Sequence, residues 1–285
     1  MGHKLKLVDL HLPREGFREF ISSWILDFNN KIYVVDPGPT KSLPILVDAL
    51  EGMKPDYILL THIHVDHAGG IGNLSKLYSE AKIIASELSH KHLIDPTKLI
   101  EASTKTLGNL MDLYGEISPV FENTILKDPP KEIQIITTPG HAPHHITFII
   151  EDLVFCGEAL GVRHSENYLR PASPIKFDLN AYKESITKLQ DLKTRTLCFG
   201  HYGSIEANQK IYLLALSQID HWVETIRSFN PQKCEFSIEL ENQIFSTLKK
   251  TDRLLETFDK LDTDIQNREK IFIGNSIKGI WNYLS

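Results

Sequence analysis

Cysteine is scarce in this chain. There are three in 285 residues, Cys156, Cys198 and Cys234, widely spaced and without a CxxC pair. An odd, scattered set excludes a disulfide framework and fits buried structural thiols in a reducing cytoplasm. Long apolar runs are missing as well. No stretch approaches the roughly 18 residues that cross a bilayer, so no membrane partner is expected. The start, Met1 to Lys6, is charged and leads into an alternating pattern, unlike the apolar core and cleavage site of a secretory leader. Positive charge is in deficit, with 31 Lys and Arg against 37 Asp and Glu and a net charge of −6. That counts against nucleic acid as the main partner, because phosphate binding wants a basic face. There is no internal repeat and no low-complexity segment. No serine or cysteine sits in a recognisable triad context, so acyl-enzyme chemistry is not expected.

What is present is an ordinary globular balance, 41% hydrophobic and 24% charged, enough for one large α/β domain or a domain with an appendage. Thirteen histidines is a high number for this length, and their clustering matters more than the count. Thr61-His62-Ile63-His64-Val65-Asp66-His67-Ala68-Gly69-Gly70 follows the apolar run Tyr57 to Leu60, which reads as a buried strand. Three imidazoles and a carboxylate this close together, partly buried and unpaired, would cost about 1–3 kcal/mol each. A metal ion resolves that cost, since neutral imidazole and carboxylate are its usual ligands. Continuing the strand would put His62 and His64 on one side. Asp66 and His67 would lie just past its end, turned towards a second ion, and the paired glycines allow a tight turn into a helix.

Along the chain the same arrangement recurs. Leu5 to Leu10 alternates as an early strand, and Ile21 to Phe28 and Ile32 to Asp36 flank Asn29-Asn30 as a hairpin. Asp36, at a strand end, can support the site from behind or simply cap a loop. The polar stretch from Ser89 to Tyr114 breaks the β-α rhythm and suggests a lid or rim. It holds His90 and His92, which lie outside any ligand spacing. Ile133 to Thr137 delivers Thr138-Pro139-Gly140-His141; the hairpin Ile146 to Cys156 ends in Gly157-Glu158; Thr196 to Phe199 runs into Gly200-His201. Ligand candidates therefore stand at four strand ends, as a metal cluster at one edge of a β-sandwich requires. Asp178 reads as the cap of a helix from Leu179 to Leu192. Beyond Ser204 the texture turns helical: Ile205 to Phe229, Ile238 to Leu248, Leu254 to Leu261, and Asp264 to Tyr283, the last interrupted at Gly274 and Gly279.

With HxHxDH followed in order by TPGH, GE and GH turns, residues 5 to 205 resemble the metallo-β-lactamase superfamily. The resemblance implies an α/β fold, an αββα four-layer sandwich. Residues 1–205 would form the catalytic domain and 206–285 a helical C-terminal subdomain. Carried over residue by residue, it implies that His62, His64 and His141 bind one metal and that Asp66, His67 and His201 bind a second. The bridging carboxylate, usually an Asp, falls on Glu158. Its extra methylene moves the carboxylate by ~1.5 Å, the length of one C–C bond, so either the backbone compensates or one ion is held less well. His144 and His145 would support the turn. Arg163 and His164 either line the pocket for an anionic group or belong to a solvated loop.

The implied activity is hydrolysis of a thioester, ester or lactone by a metal-bridging hydroxide. Two divalent ions would serve as cofactors, zinc first and iron or manganese as alternatives, and Asp66 would orient the nucleophile and shuttle its proton. The helical extension is similar to that of the glyoxalase II branch. Lactonases of the superfamily carry a tyrosine three residues after the bridging carboxylate, where this chain has Gly161. Competing readings are an iron-dependent oxidoreductase or dioxygenase of the same fold, and a phosphodiesterase. His64 departs from the flavodiiron pattern, which has Glu there. The expected partner is a small-molecule substrate, a homodimer is compatible with the sequence, and the expected location is cytoplasmic.

Overall fold

A computed structural model describes residues 3–165, 168–192 and 196–285; Met1 and Gly2, at the charged start of the sequence, lie outside them. The first sheet contains β1 (Lys4–Asp9), β2 (Ser22–Phe28), β3 (Lys31–Val35), β4 (Tyr57–Leu59) and β5 (Lys82–Ile84), in that spatial order. The β2–β3 turn forms as expected. Asn29 and Asn30 have φ of 52° and 57°, the left-handed pair of a two-residue hairpin loop whose twist matches that of its strands. Around this sheet lie α1 (Leu43–Ala49), α2 (Val65–Ala68), α3 (Ile71–Leu77), α4 (Glu87–Ile94), α5 (Thr97–Leu107) and α6 (Met111–Tyr114).

The second sheet is built from β6 (Gln134–Thr137), β7 (Ile146–Ile150) and β8 (Leu153–Gly157), joined after the side hairpin β9 (Val162–Ser165) and β10 (Tyr168–Arg170) by β11 (Thr196–Phe199) and β12 (Ser204–Glu206). Between β10 and β11 runs α7 (Leu179–Gln190), and α8 (Gln209–Arg227), α9 (Ile238–Thr251) and α10 (Thr263–Leu284) close the chain. Asp178 does cap α7, its carboxylate accepting from Ala181 N at 3.0 Å.

Three apolar clusters separate the layers. Trp24, Leu26, Tyr33 and Leu59 of the first sheet meet Phe148, Ile150, Phe155 and Cys198 of the second. Ile25, Val34 and Ile58 pack outward on Leu46, Ile71 and Leu74. Val154, Leu197 and Phe199 pack outward on Ile186, Ile219, Trp222 and Ile277. Alternating strand side chains thus feed two cores each, giving the αββα order. The C-terminal helices share a core with the second sheet.

Several local expectations change. The segment Ser204–Glu206 pairs with β11 as a strand, so the first C-terminal helix begins only at Gln209. Leu254 to Leu261 forms two short 3-10 turns. The last helix runs unbroken through Gly274 and Gly279. A Cβ at Gly279 would lie 1.9 Å from Ser173 O, so this glycine serves close packing and not interruption. Ser89 to Tyr114 is more helical than its polarity suggests. Leu93 and Tyr114 anchor it to the first sheet's outer core, while α5 buries no residue. Cys156 and Cys198 are buried in clusters on opposite faces of the second sheet, and Cys234 is exposed. Burial pushes the Cys156 thiol up to about 12, as suits an inert core group.

Candidate metal centre

The HxHxDH segment does not continue a strand. β4 ends at Leu59, and the backbone then turns because its polar groups are taken elsewhere. Thr61 N donates to Asp36 Oδ1 at 2.8 Å, and Thr61 O accepts from Ile146 N of the second sheet at 2.8 Å. His64 is extended and precedes the single turn α2, which holds Asp66 and His67. His62 and His64 are therefore brought together by a loop and a helix start, not by strand alternation.

Every one of the predicted donors arrives in one place. A nitrogen from each of His62, His64 and His141 and an oxygen from Glu158 lie within 4.8 Å of one another, and so do donor atoms of Asp66, His67 and His201. Glu158 spans the two groups. Its Oε2 is 3.2 Å from His62 Nε2 and 2.8 Å from His141 Nε2, while its Oε1 is 3.3 Å from His201 Nε2. Glu158 is aimed by its own backbone: Gly157 has φ 52°, and a Cβ there would be 2.6 Å from His145 Nε2. His145 Nε2 accepts the Glu158 N–H at 3.1 Å.

The surrounding hydrogen bonds set the tautomers. His141 Nδ1 donates to Ala172 O and His201 Nδ1 to Phe20 O, both at 3.0 Å. His67 Nδ1 donates to Asp36 Oδ2 at 3.2 Å. Thr61 Oγ1 gives its proton to Asp36 Oδ2 at 2.7 Å and so accepts from His62 Nδ1 at 3.1 Å. Each of these four rings has its proton on the outer nitrogen, which leaves its Nε2 lone pair pointing inward. The Nε2 atoms of His67 and His201 face each other at 3.3 Å, and His141 Nε2 faces His64 Nδ1 at 2.9 Å. Lone pairs so placed require positive charge between them. His62 Nε2 is buried with no hydrogen-bond partner, since its approach to Glu158 lacks the geometry of one.

Electrostatics point the same way. Burial, and then the charge of neighbouring histidines, holds His62 and His64 well below the ordinary imidazole value, leaving them neutral donors. Burial works to raise Glu158, yet His141 and His201 hold it well below the usual carboxylate range. His67 is the exception: burial works to lower it, but Asp66, Asp36 and Glu158 carry it well above the imidazole value, so the surrounding carboxylates favour a positive charge on this ring or beside it. An all-nitrogen and oxygen donor set of this kind suits zinc, iron or manganese. The residues fit a metal centre.

Asp36 thus supports the site from behind, buried and contacting Thr61 and His67. His145 positions Glu158, and His144 sits with its ring 5.8 Å from that of His64 and its Nδ1 buried without a partner. Arg163 and His164 each reach a backbone carbonyl. Arg163 donates to Tyr202 O at 3.1 Å and His164 to Glu19 O at 3.2 Å. His90 and His92 belong to neither donor group. Phe20 and Thr61 carry supporting roles that their residue types do not signal.

A family model described as the metallo-β-lactamase superfamily matches residues 16–201. The chain belongs to the metallo-β-lactamase superfamily. A metallo-β-lactamase fold-containing protein of Sulfurisphaera tokodaii is 28% identical over 201 residues, 66% of this chain and 75% of that protein. A hydroxyacylglutathione hydrolase of Shewanella baltica is 32% identical over 141 residues, 48% of this chain. The alignment takes in only 46% of that hydrolase's own length. In three dimensions, the crystal structure of an archaeal metallo-β-lactamase superfamily protein from Sulfolobus tokodaii covers 98% of this chain and 99% of its own. The TM-score is 0.72 at 22% identity, so the shared fold includes the C-terminal helices. No described helix is long and apolar enough to cross a membrane.

Proposed function

We propose that this superfamily member is a dinuclear metal-dependent hydrolase of a thioester, ester or lactone. His62, His64 and His141 would form one ligand group, Asp66, His67 and His201 the other, and Glu158 would bridge them. The observation carrying this reading is the Glu158 carboxylate, which approaches both groups: Oε2 lies near His62, His141 and His67, and Oε1 near His201. When bound, divalent ions such as zinc supply Lewis acidity and bring the pKa of a coordinated water to about 7. The chain does the rest. Asp66 is the most open member of its group, with a side chain 17% exposed beside His67 at 0% and His201 at 2%. It is placed to orient an attacking water and pass a proton to the leaving group. With their Nε2 atoms aimed inward to hold the ions, the histidines would have no free lone pair to take that proton themselves.

The name of the Shewanella relative supports a thioester as the first substrate class to test. Two buried thiols and one exposed thiol, all free, suit a reducing cytoplasm. Residues 1–205 would act on a small molecule, with 206–285 as a helical subdomain; a homodimer fits this reading equally.

Metal analysis of protein purified without added metal should give about two zinc per chain, as a two-ion site requires. Stoichiometric iron would instead move weight to oxidoreductase or dioxygenase chemistry. A panel of thioesters, lactones and phosphodiesters then identifies the class. The proposal is wrong if His64→Ala or His201→Ala leaves the best hydrolytic activity unchanged.

A further inference from the structure

The C-terminal helix α10 reaches the candidate metal centre through Arg268, which is only 2% exposed although it is an arginine. Its Nη1 donates to the backbone carbonyls of Gly16 at 2.6 Å and Arg18 at 2.7 Å, both in the loop joining β1 to β2. Its guanidinium carbon lies 4.5 Å from the centre of the Phe20 ring. Phe272, one turn further along α10, packs on the same ring at 4.8 Å. Arg268 shares a buried counter-charge with Arg170. Glu269 accepts from Arg268 Nε at 3.1 Å, Arg170 Nε at 2.7 Å and the Tyr168 hydroxyl at 2.8 Å.

Phe20 in turn holds His201 twice. Its carbonyl accepts the His201 Nδ1 proton at 3.0 Å, and its ring lies 4.5 Å from the imidazole at 32°. The adjoining backbone is fixed by a bridge between Ile21 and His201 and by Ser22 N donating to Gly200 O at 3.0 Å. The carbonyl decides which His201 nitrogen points inward, and the ring limits how far the imidazole can rotate.

We infer that Arg268 is a positioning residue for His201. It acts through the backbone of the β1–β2 loop and the Phe20 ring, so that the C-terminal helix tunes how tightly the Asp66, His67 and His201 group holds its ion. This rests on reading that group as a metal site, and not on which bond the protein cleaves. Partners that orient a ligand histidine typically change metal affinity by about 10- to 100-fold when removed.

The test uses the full chain loaded with zinc and titrated with a chromophoric chelator, with thermal unfolding followed in parallel. Arg268→Met keeps much of the volume and removes the guanidinium, Arg268→Lys keeps the charge without the fork, and Phe20→Leu removes the ring but keeps the carbonyl. In Arg268→Met one ion is expected to leave at a chelator strength about 10- to 100-fold lower, while the other leaves as in the parent. Phe20→Leu should weaken the same ion to a lesser degree, and Arg268→Lys should recover part of the loss. Unchanged release of both ions in Arg268→Met and Phe20→Leu, whatever happens to the melting temperature, would show that Arg268 merely anchors the helix. Should Arg268→Met not fold, unchanged release in the other two variants overturns the inference equally. A parent chain that binds none of zinc, iron and manganese overturns both this and the proposed function. A chain that binds two ions and hydrolyses nothing fails only the hydrolase reading.

Discussion

Replacing Glu158 with Gln is expected to abolish the best hydrolytic activity found for this protein and to lower its metal content. The substitution keeps size and shape but removes the one carboxylate that approaches His62, His141 and His201 at 3.2, 2.8 and 3.3 Å. Losing an outer partner of a metal ligand already costs about 10- to 100-fold in affinity, so losing a shared ligand should cost upwards of about 100-fold. Glu158→Asp should recover metal content better than activity, because the charge returns but the carboxylate is drawn back by ~1.5 Å, one C–C bond. His145, which holds the Glu158 amide at 3.1 Å, fixes the backbone and prevents it from following the shorter side chain. Elemental analysis and kcat/KM on one substrate check both variants. Full metal content and full rate in the Glu158→Gln variant would remove Glu158 from the centre.

The second large effect concerns stability. Glu269 is 0% exposed and stands between Arg170 and Arg268, which are 3% and 2% exposed. Glu269→Leu would leave two buried guanidinium groups without their counter-charge. Breaking a buried ion pair from one side costs about 3–5 kcal/mol, and urea unfolding should show a loss of that order. Glu269→Gln, which still accepts from Tyr168, should lose less. The same carboxyl predicts the acid behaviour. Burial works to raise it, yet Arg170, Arg268 and the Tyr168 hydroxyl bring it from 4.5 down to about 2. Its contribution is thus complete above the ordinary carboxylate range and fades as the pH falls from about 4.5 towards 2, a slope that Glu269→Gln should flatten. Equal stability of the parent and Glu269→Leu would show the cluster to be neutral.

Much of the site was legible because its ligands are local. An HxHxDH segment places four donors within six residues, and His141, Glu158 and His201 each follow an apolar run that reads as a strand whatever its neighbours are. The errors have a common source. Alternation alone would have His62 and His64 continue β4, but Asp36 and Ile146 take the Thr61 backbone groups and bend the chain away. Gly274 and Gly279 look like helix breakers, yet the close approach of Ser173 O makes Gly279 a packing residue. Arg163 and His164 could be read by residue type either as pocket lining or as a solvated loop, and the contacts they make in the fold, with Tyr202 O and Glu19 O, come from segments that neither reading names.

By itself, then, the sequence determined the candidate ligands and most strands and helices, which depend on periodicity or on spacing within a few residues, and its motifs carried the resemblance to the superfamily that implied the layered α/β order. Tertiary structure alone decided which nitrogen of each histidine faces inward, that Glu158 reaches both donor groups, and that Arg268 stands behind Phe20 and His201. Those outcomes depend on hydrogen bonds and packing between segments far apart in the chain. A local pattern holds no record of such partners, because the pairing exists only once both sheets and α10 have closed on one another.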